Sequence, residues 1–506
     1  MRTSIKGPRE ATLKVRWSFR LFAVVIALGC LGLVEILLRA AGVGCPPSFF
    51  IEKTVEGRRC LFSNQQFGWL FFPRDIARSP LQSYVPLDKS QEALRVVLLG
   101  ESVVVGDPDP VFGFCHQLAV MLQAAHPSRH VSVVDAGMPA IDSHVIVEIA
   151  KSFPEVRPDF VIIYMGNNEV VGPYGAGTVF SPLLKHLWQI HLHIALKKLR
   201  LVQVLESLIG SLAPGRRPKT WQAMAMFVKN QVPADAPAMA IVYNYFEANL
   251  NDIISRARRV GAKVLVCTVA SNLRDCAPFE SLHRAGLTRD AEARWNSLYD
   301  TGRRLAERRR WADALEAFDE AAGLDARFAD LQFQRGRCLL ALGRIPAAQE
   351  AFRDSRDLDT LRLRADSRIN EIIRRVARKW AGDGVQLVDV EGELRQASPG
   401  GLPGMNFFLE HVHPNFDGNY AIARALAEVV QPGAKPMGWE ECAAAAGYDG
   451  AAQRQSLQRM LPRLAEPPFS MQSNHAEQAR RFESIIRSIP AGAAPAPRPL
   501  HMRNLD

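Results

Sequence analysis

The hydrophobic positions beyond residue 94 fall into short, nearly continuous apolar runs that alternate with helical stretches. Runs that are apolar at almost every position, and not at every second one, are typical of strands buried on both faces of a sheet. Such a sheet is parallel, with helices on both faces, so the pattern predicts a doubly wound α/β fold. The predicted strands are residues 95–99 (RVVLL), 130–134 (HVSVV), 159–164 (DFVIIY), 263–268 (KVLVCT) and 385–390 (VQLVDV).

Residues 17–43 form a long apolar stretch, with an uncharged run at residues 21–34 and with Glu35 and Arg39 near its far end. The uncharged run is shorter than the roughly 20 residues that cross a bilayer, so a cleaved signal peptide competes with a transmembrane helix. No Ala-x-Ala cleavage site follows at a suitable distance, which favours an uncleaved signal anchor. The basic tail, residues 1–16, then stays in the cytosol. We predict a single-pass protein of the cell (inner) membrane in which the chain after about residue 44 is extracytoplasmic, on the periplasmic side.

Between the fourth and fifth predicted strands the chain repeats itself with an offset of 34 residues. This period resembles that of tetratricopeptide (TPR) repeats, in which each unit is a pair of helices. Glycine and alanine positions let the two helices pack closely, and leucine and phenylalanine fill the groove between them. We therefore predict a TPR-like insertion at residues 285–360, capped by a helix within residues 361–378 and able to bind a protein partner. The matching pairs are Gly302 with Gly336, Leu305 with Leu339, Ala314 with Ala348, Phe318 with Phe352, Leu324 with Leu358, and Asp325 with Asp359.

A second insertion, residues 181–240, also lacks strand character, and its first part is apolar. A packed helical cap over the sheet edge is the favoured interpretation, and a lid that faces a membrane interface is the alternative. Three histidines in this segment lack the i, i+4 spacing of a metal site on a helix, which predicts no bound metal here. They are His186, His191 and His193.

Composition and charge narrow the class of protein. At 506 residues, with 48% hydrophobic and 23% charged residues, the chain is long enough for more than one globular core. The net charge of +10 does not indicate nucleic acid: the first 20 residues supply half of it, with six basic residues against one acid. The other charges are mixed in sign. Eight cysteines without a CxxC pair predict no zinc site. Cys45 and Cys60 are candidates for a disulfide if their segment is exported, with free thiols as the alternative.

Candidate chemistry lies at the ends of the predicted strands. Hydrolysis of an ester by an oxygen nucleophile needs a well-placed serine, a base and donors for the oxyanion. Ser102 follows the first strand and should emerge at the carboxyl edge of the sheet, where ligands bind in open α/β folds. Residues 135–139 (DAGMP) and 166–169 (GNNE) follow the second and third strands. A glycine N–H and an asparagine side-chain amide in these motifs are therefore candidate oxyanion donors at the same edge.

A histidine-containing segment, residues 410–419 (EHVHPNFDGN), follows the last predicted strand. Glu410 lies three residues before His413, close enough to hold the far nitrogen of the imidazole and to stabilise the imidazolium. His411 is the rival base, but it is only one residue from Glu410. His144, near the second motif, is interpreted as a substrate-side or structural polar group.

The order and spacing of these motifs resemble the four blocks of SGNH (GDSL-like) hydrolases: Gly-x-Ser, Gly, Gly-x-Asn-Asp and Asp-x-x-His. The resemblance covers residues 95–170 and 385–430. It implies that Ser102 is the nucleophile, that His413 is the general base and that Glu410 orients His413. The oxyanion hole implied by the resemblance consists of the N–H groups of Ser102 and Gly137 and the side chain of Asn168.

Three positions depart from the family pattern, because each carries Glu where the family commonly has Asp. Glu101 and Glu169 are not required participants in the chemistry. Glu410 has to reach His413 with one extra methylene, and a backbone carbonyl is the alternative partner for the imidazole.

These predictions divide the chain into seven parts. They are a basic tail (1–16), a transmembrane signal anchor (17–43), a juxtamembrane segment (44–94), a first part of the SGNH hydrolase domain (95–284, with the helical insertion 181–240), the TPR-like insertion (285–360), a capping helix with the second part of the hydrolase domain (361–432), and a helical C-terminal extension (433–506) with a disordered tail at 492–499.

The leading functional prediction is an extracytoplasmic esterase or deacylase in which Ser102 forms an acyl-enzyme that water hydrolyses. Its substrate is an acylated small molecule, lipid or glycan, and it needs no metal and no organic cofactor. An O-acyltransferase on an envelope glycan would use the same residues and differ only in the acceptor. A third alternative is a binding scaffold, in which the TPR-like repeats recruit a protein and the hydrolase domain is not catalytic.

Overall fold

The computed structural model describes residues 8–181, 184, 186–212 and 223–489. Three predicted features lie partly or wholly outside these residues: the first seven residues of the basic tail, part of the 181–240 insertion, and the tail at residues 492–499 that was predicted to be disordered.

The described residues form eight β-strands and eighteen α-helices. The strands are β1 Phe50–Val55, β2 Arg58–Ser63, β3 Tyr84–Pro86, β4 Leu94–Gly100, β5 Val131–Asp135, β6 Phe160–Tyr164, β7 Lys263–Cys267 and β8 Val385–Val388. The helices are α1 Pro8–Ala40, α2 Ser102–Val105, α3 Phe114–Ala125, α4 Ser143–Ala150, α5 Phe153–Val156, α6 Leu187–Lys197, α7 Arg200–Leu212, α8 Pro237–Arg259, α9 Arg289–Glu307, α10 Trp311–Leu324, α11 Ala329–Ala341, α12 Ile345–Leu358, α13 Ser367–Lys379, α14 Val390–Gln396, α15 Phe416–Val430, α16 Trp439–Ala446, α17 Gly450–Leu464 and α18 His475–Ser488.

Five strands form a parallel sheet in the order β5-β4-β6-β7-β8. All five predicted strands are present and helices connect them, so the predicted α/β class with a parallel sheet is confirmed. The chain runs from β4 to one edge of the sheet and then returns to the other side of β4. The carboxyl ends of β4 and β6 therefore form the topological switch point, where such sheets bind ligands.

Two groups of helices cover the sheet. One group joins α3 to α15 and α16, and the other joins α8 to α4 and α13. Right-handed crossovers that run in opposite directions across a sheet place their helices on opposite faces, so the two groups cover different faces. The helix predicted to cap the repeats is α13, and it packs against α8, β7 and β8. Its buried apolar face includes Ile369, Ile372, Ile373 and Val376. Because this face packs towards the sheet, α13 belongs to the helical layer that covers the sheet.

A small antiparallel sheet, β1-β2-β3, lies in the segment predicted only as juxtamembrane. β1 and β2 form a hairpin in which Phe50 pairs with Ser63. Its turn consists of Glu56 and Gly57, both at positive φ (50° and 76°), the backbone that two-residue hairpin turns require. This hairpin was not predicted because its strands are partly exposed and lack a continuous apolar run, and because their turn signal is a single glycine.

The 34-residue repeat corresponds to two helix pairs, α9 with α10 and α11 with α12. In each pair a glycine lies against a phenylalanine ring. A Cβ atom on Gly302 would lie 2.5 Å from Phe318, and one on Gly336 would lie 3.0 Å from Phe352. Both phenylalanines are buried in one shared apolar core. The same close approach therefore recurs at the offset of the sequence repeat.

By its internal contacts the chain divides into two compact units. The first comprises Met1–Pro47 and His186–Pro218, as far as these residues are described, and it contains α1, α6 and α7. Among the described residues, Phe19–Ala40 is the one helical stretch that is long and apolar enough to span a membrane, and its side chains are exposed. Near its end, the Glu35 carboxylate accepts hydrogen bonds from the backbone N–H groups of Arg200 and Leu201, both at 3.0 Å, at the start of α7.

The second unit comprises Ser48–Lys185 and Lys219–Asp506, as far as described, and it contains both sheets and the remaining helices. The two candidate disulfide partners, Cys45 and Cys60, are both buried.

Candidate active site

Ser102 lies where β4 ends and the short helix α2 begins, at the carboxyl edge of the parallel sheet. Gly100, two residues earlier, has no room for a side chain. A Cβ atom there would collide with the carbonyl oxygen of Tyr164 on β6 and with Val104. Glycine at this position therefore lets β6 and α2 approach the end of β4 closely, next to Ser102. Ser102 remains half-buried and accessible.

Three side chains from two distant parts of the chain form a continuous series of hydrogen bonds. His413 Nε2 lies 2.8 Å from Ser102 Oγ, and His413 Nδ1 lies 2.7 Å from Glu410 Oε1. The same carboxylate oxygen accepts the backbone N–H of His413 at 2.7 Å. With Nδ1–H donating to Glu410, Nε2 is left to accept the proton of the serine. The extra methylene of Glu410 therefore does not prevent its contact with His413.

The charges of this series support proton transfer from the serine. Burial by itself raises the pKa of the Glu410 carboxyl, but His411 and His413 outweigh it and hold that pKa well below its usual range. Burial lowers the pKa of His413, but Glu410 and Asp107 outweigh it, so the pKa of His413 is raised. The ionised Glu410 therefore stabilises a protonated His413, which is what a general base requires of its partner.

His411 shares the Glu410 carboxylate but has different surroundings. Its Nδ1 forms a hydrogen bond with the other carboxylate oxygen, Oε2. Its ring packs edge-on against Phe279 and Phe469, with centroid distances of 5.3 and 5.5 Å. Burial in this apolar environment lowers the pKa of His411. A buried, neutral ring packed between two phenylalanines is suited to holding Glu410 in place.

Glu410, His411 and His413 also bring three ligand-type atoms within 4.8 Å of one another, the spacing of a candidate metal site. Each of the three already has a partner in the cluster, because both imidazoles bond to the carboxylate. His413 Nε2 faces Ser102 as well. These hydrogen bonds account for the cluster by themselves.

The predicted oxyanion donors differ in whether they already have a hydrogen-bond acceptor. The N–H of Gly137 donates to the Asp135 carboxylate at 2.7 Å, so this donor is already engaged. A Cβ atom on Gly137 would lie 3.1 Å from Val104, which places this turn against α2, the helix that begins with Ser102. The N–H of Ser102 is in the first turn of α2, where the helix itself offers no acceptor. The Asn168 side chain is half-buried and has no hydrogen bond to any residue that the structure describes.

Glu101, which was predicted not to be a required participant in the chemistry, holds the third motif in place. Its carboxylate accepts the backbone N–H groups of Gly166 (3.0 Å), Asn167 (3.1 Å) and Asn168 (3.1 Å). Burial raises the pKa of Glu101 to about 7, against the opposite effect of these three donors. The residue beside Ser102 therefore fixes the turn that carries Asn168. A carboxylate next to the serine, at the edge where a Gly-Asn-Asn turn also lies, was the available signal.

Glu169 and His144 have structural partners. The Glu169 carboxylate accepts the backbone N–H and the hydroxyl of Ser143 at 2.8 and 2.7 Å, at the start of α4. His144 Nδ1 lies 3.1 Å from Asn249 Nδ2 on α8. Both side chains are buried, so they connect elements of the fold, and His144 has the structural role of the two that were considered.

Asp107, which was not predicted as a site residue, is a second carboxylate beside His413. Its Oδ2 lies 3.5 Å from His413 Nε2, the atom that also faces Ser102. Arg463 on α17 donates to both oxygens of Asp107, at 2.8 and 3.0 Å. Burial raises the pKa of Asp107, but His413 and Arg463 outweigh it and hold that pKa below its usual value. The only sequence signal was an acidic residue in the loop that follows Ser102.

A cavity of about 270 Å³ adjoins Asp107. Its wall combines polar groups with aromatic rings. Besides Asp107, these include Asp109, Phe112, Asn415, Tyr448 and Ser456.

Comparisons with known proteins add one finding. No protein-family model matches this chain, and no curated protein matches it. Among solved structures, the chain is similar to the crystal structure of an acetyl xylan esterase, AlAXEase, with a TM-score of 0.30 and 12% sequence identity. The similarity covers 67% of this chain and 100% of the esterase chain.

Proposed function

We propose that the protein is a membrane-anchored, extracytoplasmic serine esterase or deacylase of the SGNH (GDSL-like) class. The observation that carries this proposal is the series of hydrogen bonds from Ser102 through His413 to Glu410 at the carboxyl edge of the sheet. A histidine with a raised pKa and a buried ionised partner activates a serine hydroxyl as a nucleophile. A pure binding scaffold has no physical need for this arrangement.

In the proposed first half-reaction, Ser102 Oγ attacks the acyl carbon of an ester while its proton passes to His413 Nε2. Glu410 stabilises the imidazolium, and His413 then gives the proton to the departing alcohol. The negative oxygen of the tetrahedral intermediate is bound by the N–H of Ser102 and the side chain of Asn168. Gly137 joins them once its N–H is released from Asp135. In the second half-reaction, water attacks the acyl-enzyme, His413 takes its proton, and Ser102 is regenerated.

The proposed substrate is an acylated small molecule, lipid or glycan, and the extracytoplasmic location favours an ester of the cell envelope. The TPR-like helix pairs α9–α12 are proposed to bind a protein partner, as stacked helical repeats commonly do. The close contacts of Gly302 with Phe318 and of Gly336 with Phe352 support the repeat assignment.

The anchor proposed for residues 17–43 is supported by the helices that share a unit with α1. α6 and α7 leave a stripe of large apolar side chains exposed, at the three- and four-residue spacings of one helix face. The stripe comprises Trp188, Leu192, Leu196 and Leu199 near α6, and Leu205, Leu208 and Ile209 on α7. Glu35, near the end of the apolar stretch, caps α7. An apolar stripe attached to a membrane span is suited to the lipid interface, which favours the membrane-facing alternative over the packed cap.

Labelling with a fluorophosphonate probe, which reacts with activated serines, tests the proposed nucleophile. The full chain in detergent should be labelled, and both Ser102→Ala and His413→Ala should lose the label. Ser90→Ala is the matched control, because Ser90 is an exposed loop serine, and it should label like the wild type. If the folded wild type takes no label and turns over no short-chain ester, a binding scaffold based on the repeats replaces the enzyme.

A further inference from the structure

Two carboxylates approach His413 from different sides, and the proposed reaction uses only one of them. Glu410 binds Nδ1, as the orienting member of a triad does. Asp107 instead lies 3.5 Å from Nε2, the nitrogen that takes the proton. The first half-reaction needs nothing more at that nitrogen, because Ser102 Oγ already faces it. The first half-reaction therefore does not account for the position of Asp107, which leaves the second half-reaction as the step in which Asp107 acts.

The charge of Asp107 is balanced before any substrate arrives. Arg463 donates to both of its oxygens, so the carboxylate is not a site for a substrate cation. A carboxylate offers about four acceptor positions, and two of them remain after Arg463 has bound. The Asp107 side chain is 31% exposed, so solvent reaches these positions. The adjoining cavity of about 270 Å³ has room for several waters, since each occupies about 30 Å³ of liquid volume.

Once Ser102 is acylated, its Oγ has no proton to donate, and the lone pair of His413 Nε2 becomes available. Nε2 and Asp107 Oδ2 are then two acceptors 3.5 Å apart. One oxygen atom can lie about 2.8 Å from both of them, which is an ordinary hydrogen-bond length. It satisfies both only if it donates two hydrogens. Water does so, whereas the hydroxyl of a simple alcohol donates one.

We propose that Asp107 binds the nucleophile of the second half-reaction and selects for water, because its carboxylate and His413 Nε2 together form a site for a two-donor molecule. A vicinal diol meets the same requirement, since its second hydroxyl can bind Asp107. This inference rests on the proposed function and deepens it. It assigns Asp107 as the residue that determines whether the acyl group is transferred to water or to an alcohol.

The proposed step conserves atoms and charge. One water hydrogen bonds Asp107 throughout, and the other passes to His413 Nε2 as the water oxygen bonds to the acyl carbon. The tetrahedral intermediate then collapses, the bond from Ser102 Oγ to the acyl carbon breaks, and His413 returns the proton to Oγ. Asp107 stays ionised beside Arg463 and accepts no proton.

The test separates the two half-reactions of a p-nitrophenyl acetate assay on the full chain, at a pH where His413 is neutral. Asp107→Ala should keep the burst of p-nitrophenol and the fluorophosphonate label within about threefold. Hydrolysis of the acetyl-enzyme should slow about ten- to a hundredfold, which is the usual cost of losing a hydrogen bond to a charged group. Intact-mass spectrometry should then show acetyl-Ser102 accumulating.

Asp109→Ala is the matched control. Asp109 lies in the same loop and the same cavity wall, and it is joined to α17 through Arg459. Removal of the Asp109 carboxylate should loosen the same loop and leave the ratio between the rates of the two half-reactions unchanged. If Asp107→Ala does not fold, Asp107→Asn provides the comparison, because its neutral amide accepts more weakly and should slow hydrolysis selectively to a smaller extent.

Competing acceptors test the two-donor requirement directly. In the wild type, ethylene glycol should capture the acetyl group several times more efficiently than ethanol at equal concentration, and Asp107→Ala should remove that preference. Equal slowing of both half-reactions in Asp107→Ala, or the absence of a glycol preference in the wild type, would overturn the proposal. A wild type with neither burst nor label would instead remove the proposed function itself.

Discussion

At the scale of single residues, one carboxylate contacts two histidines whose pKa values are shifted in opposite directions. Glu410 contacts both His411 and His413. Burial dominates at His411 and lowers its pKa, while Glu410 and Asp107 prevail over burial at His413 and raise its pKa. The difference arises because His413 has carboxylates on both ring nitrogens and His411 is enclosed by phenylalanine rings. A charged state is therefore accessible at the ring that faces Ser102.

This arrangement predicts the pH dependence of ester hydrolysis. His413 acts as a base only when it is neutral, and a raised pKa keeps it protonated to a higher pH. The value of kcat/KM for p-nitrophenyl acetate should therefore rise with pH through an apparent pKa above the ordinary 6.5 of histidine. Glu410→Gln should move that rise to lower pH and reduce the plateau about a hundred- to ten-thousandfold, as in other triads. A rise at or below 6.5, or one unchanged in Glu410→Gln, would contradict this assignment. His130→Asn is the control, because His130 is exposed and lies outside this cluster, and it should keep the rise.

At the scale of helices, the inserted repeats depend on the contact between a glycine and a ring. Gly302 lets α9 approach Phe318 of α10, and Gly336 lets α11 approach Phe352 of α12. The two contacts differ in tightness, with closest approaches of 2.5 and 3.0 Å for an added Cβ atom. Since both rings are buried, they have little space to move aside.

The difference in tightness predicts an order of stability among three alanine variants. Gly302→Ala should destabilise the protein by about 1–3 kcal/mol through overpacking, and Gly336→Ala should cost less. Gly323 on α10 has open space around it, so Gly323→Ala should stabilise by about 0.5–1 kcal/mol through better helix propensity. Urea unfolding followed by circular dichroism measures the three changes. Equal effects of Gly302→Ala and Gly323→Ala would show that the close approach does not limit packing.

At the scale of the whole molecule, a helix that is long and apolar enough to span a membrane and two amphipathic helices occur together in one unit. The connection is specific, because the Glu35 side chain caps α7 and Lys197 on α6 pairs with Glu206 on α7 at 2.5 Å. A water-soluble unit would gain nothing from this much exposed apolar surface. Insertion into a lipid interface removes that surface from water.

Quenching of tryptophan fluorescence by brominated lipids tests this placement in nanodiscs that contain the full chain. Trp17 and Trp188 are both well exposed in the structure, at 64% and 65%. The quenchable fluorescence should fall in Trp188→Phe and in Trp17→Phe, because each variant removes one emitter at the bilayer. If only Trp17→Phe changes the quenching, the anchor stands and the apolar stripe faces something other than lipid. If neither does, the membrane proposal fails.

Local pattern was enough to predict the five buried strands, because a strand covered on both faces must be apolar along its whole length. It was also enough to select Ser102, His413 and Glu410, which lie in direct hydrogen-bond contact. The reason is that the carboxyl ends of parallel strands share one edge, so strand order alone brings their loops together.

Only the tertiary structure decided which further groups contact the site residues. Asp107 reaches His413 Nε2, and its charge is matched by Arg463 from 356 residues away. Glu101 holds the turn of Asn168, and Asp135 occupies the N–H of Gly137. The sequence by itself determined which groups stand at the edge of the sheet. The contacts among these groups depend on the paths of the loops and on the burial of the C-terminal helices. Both of these are determined only when the whole chain packs.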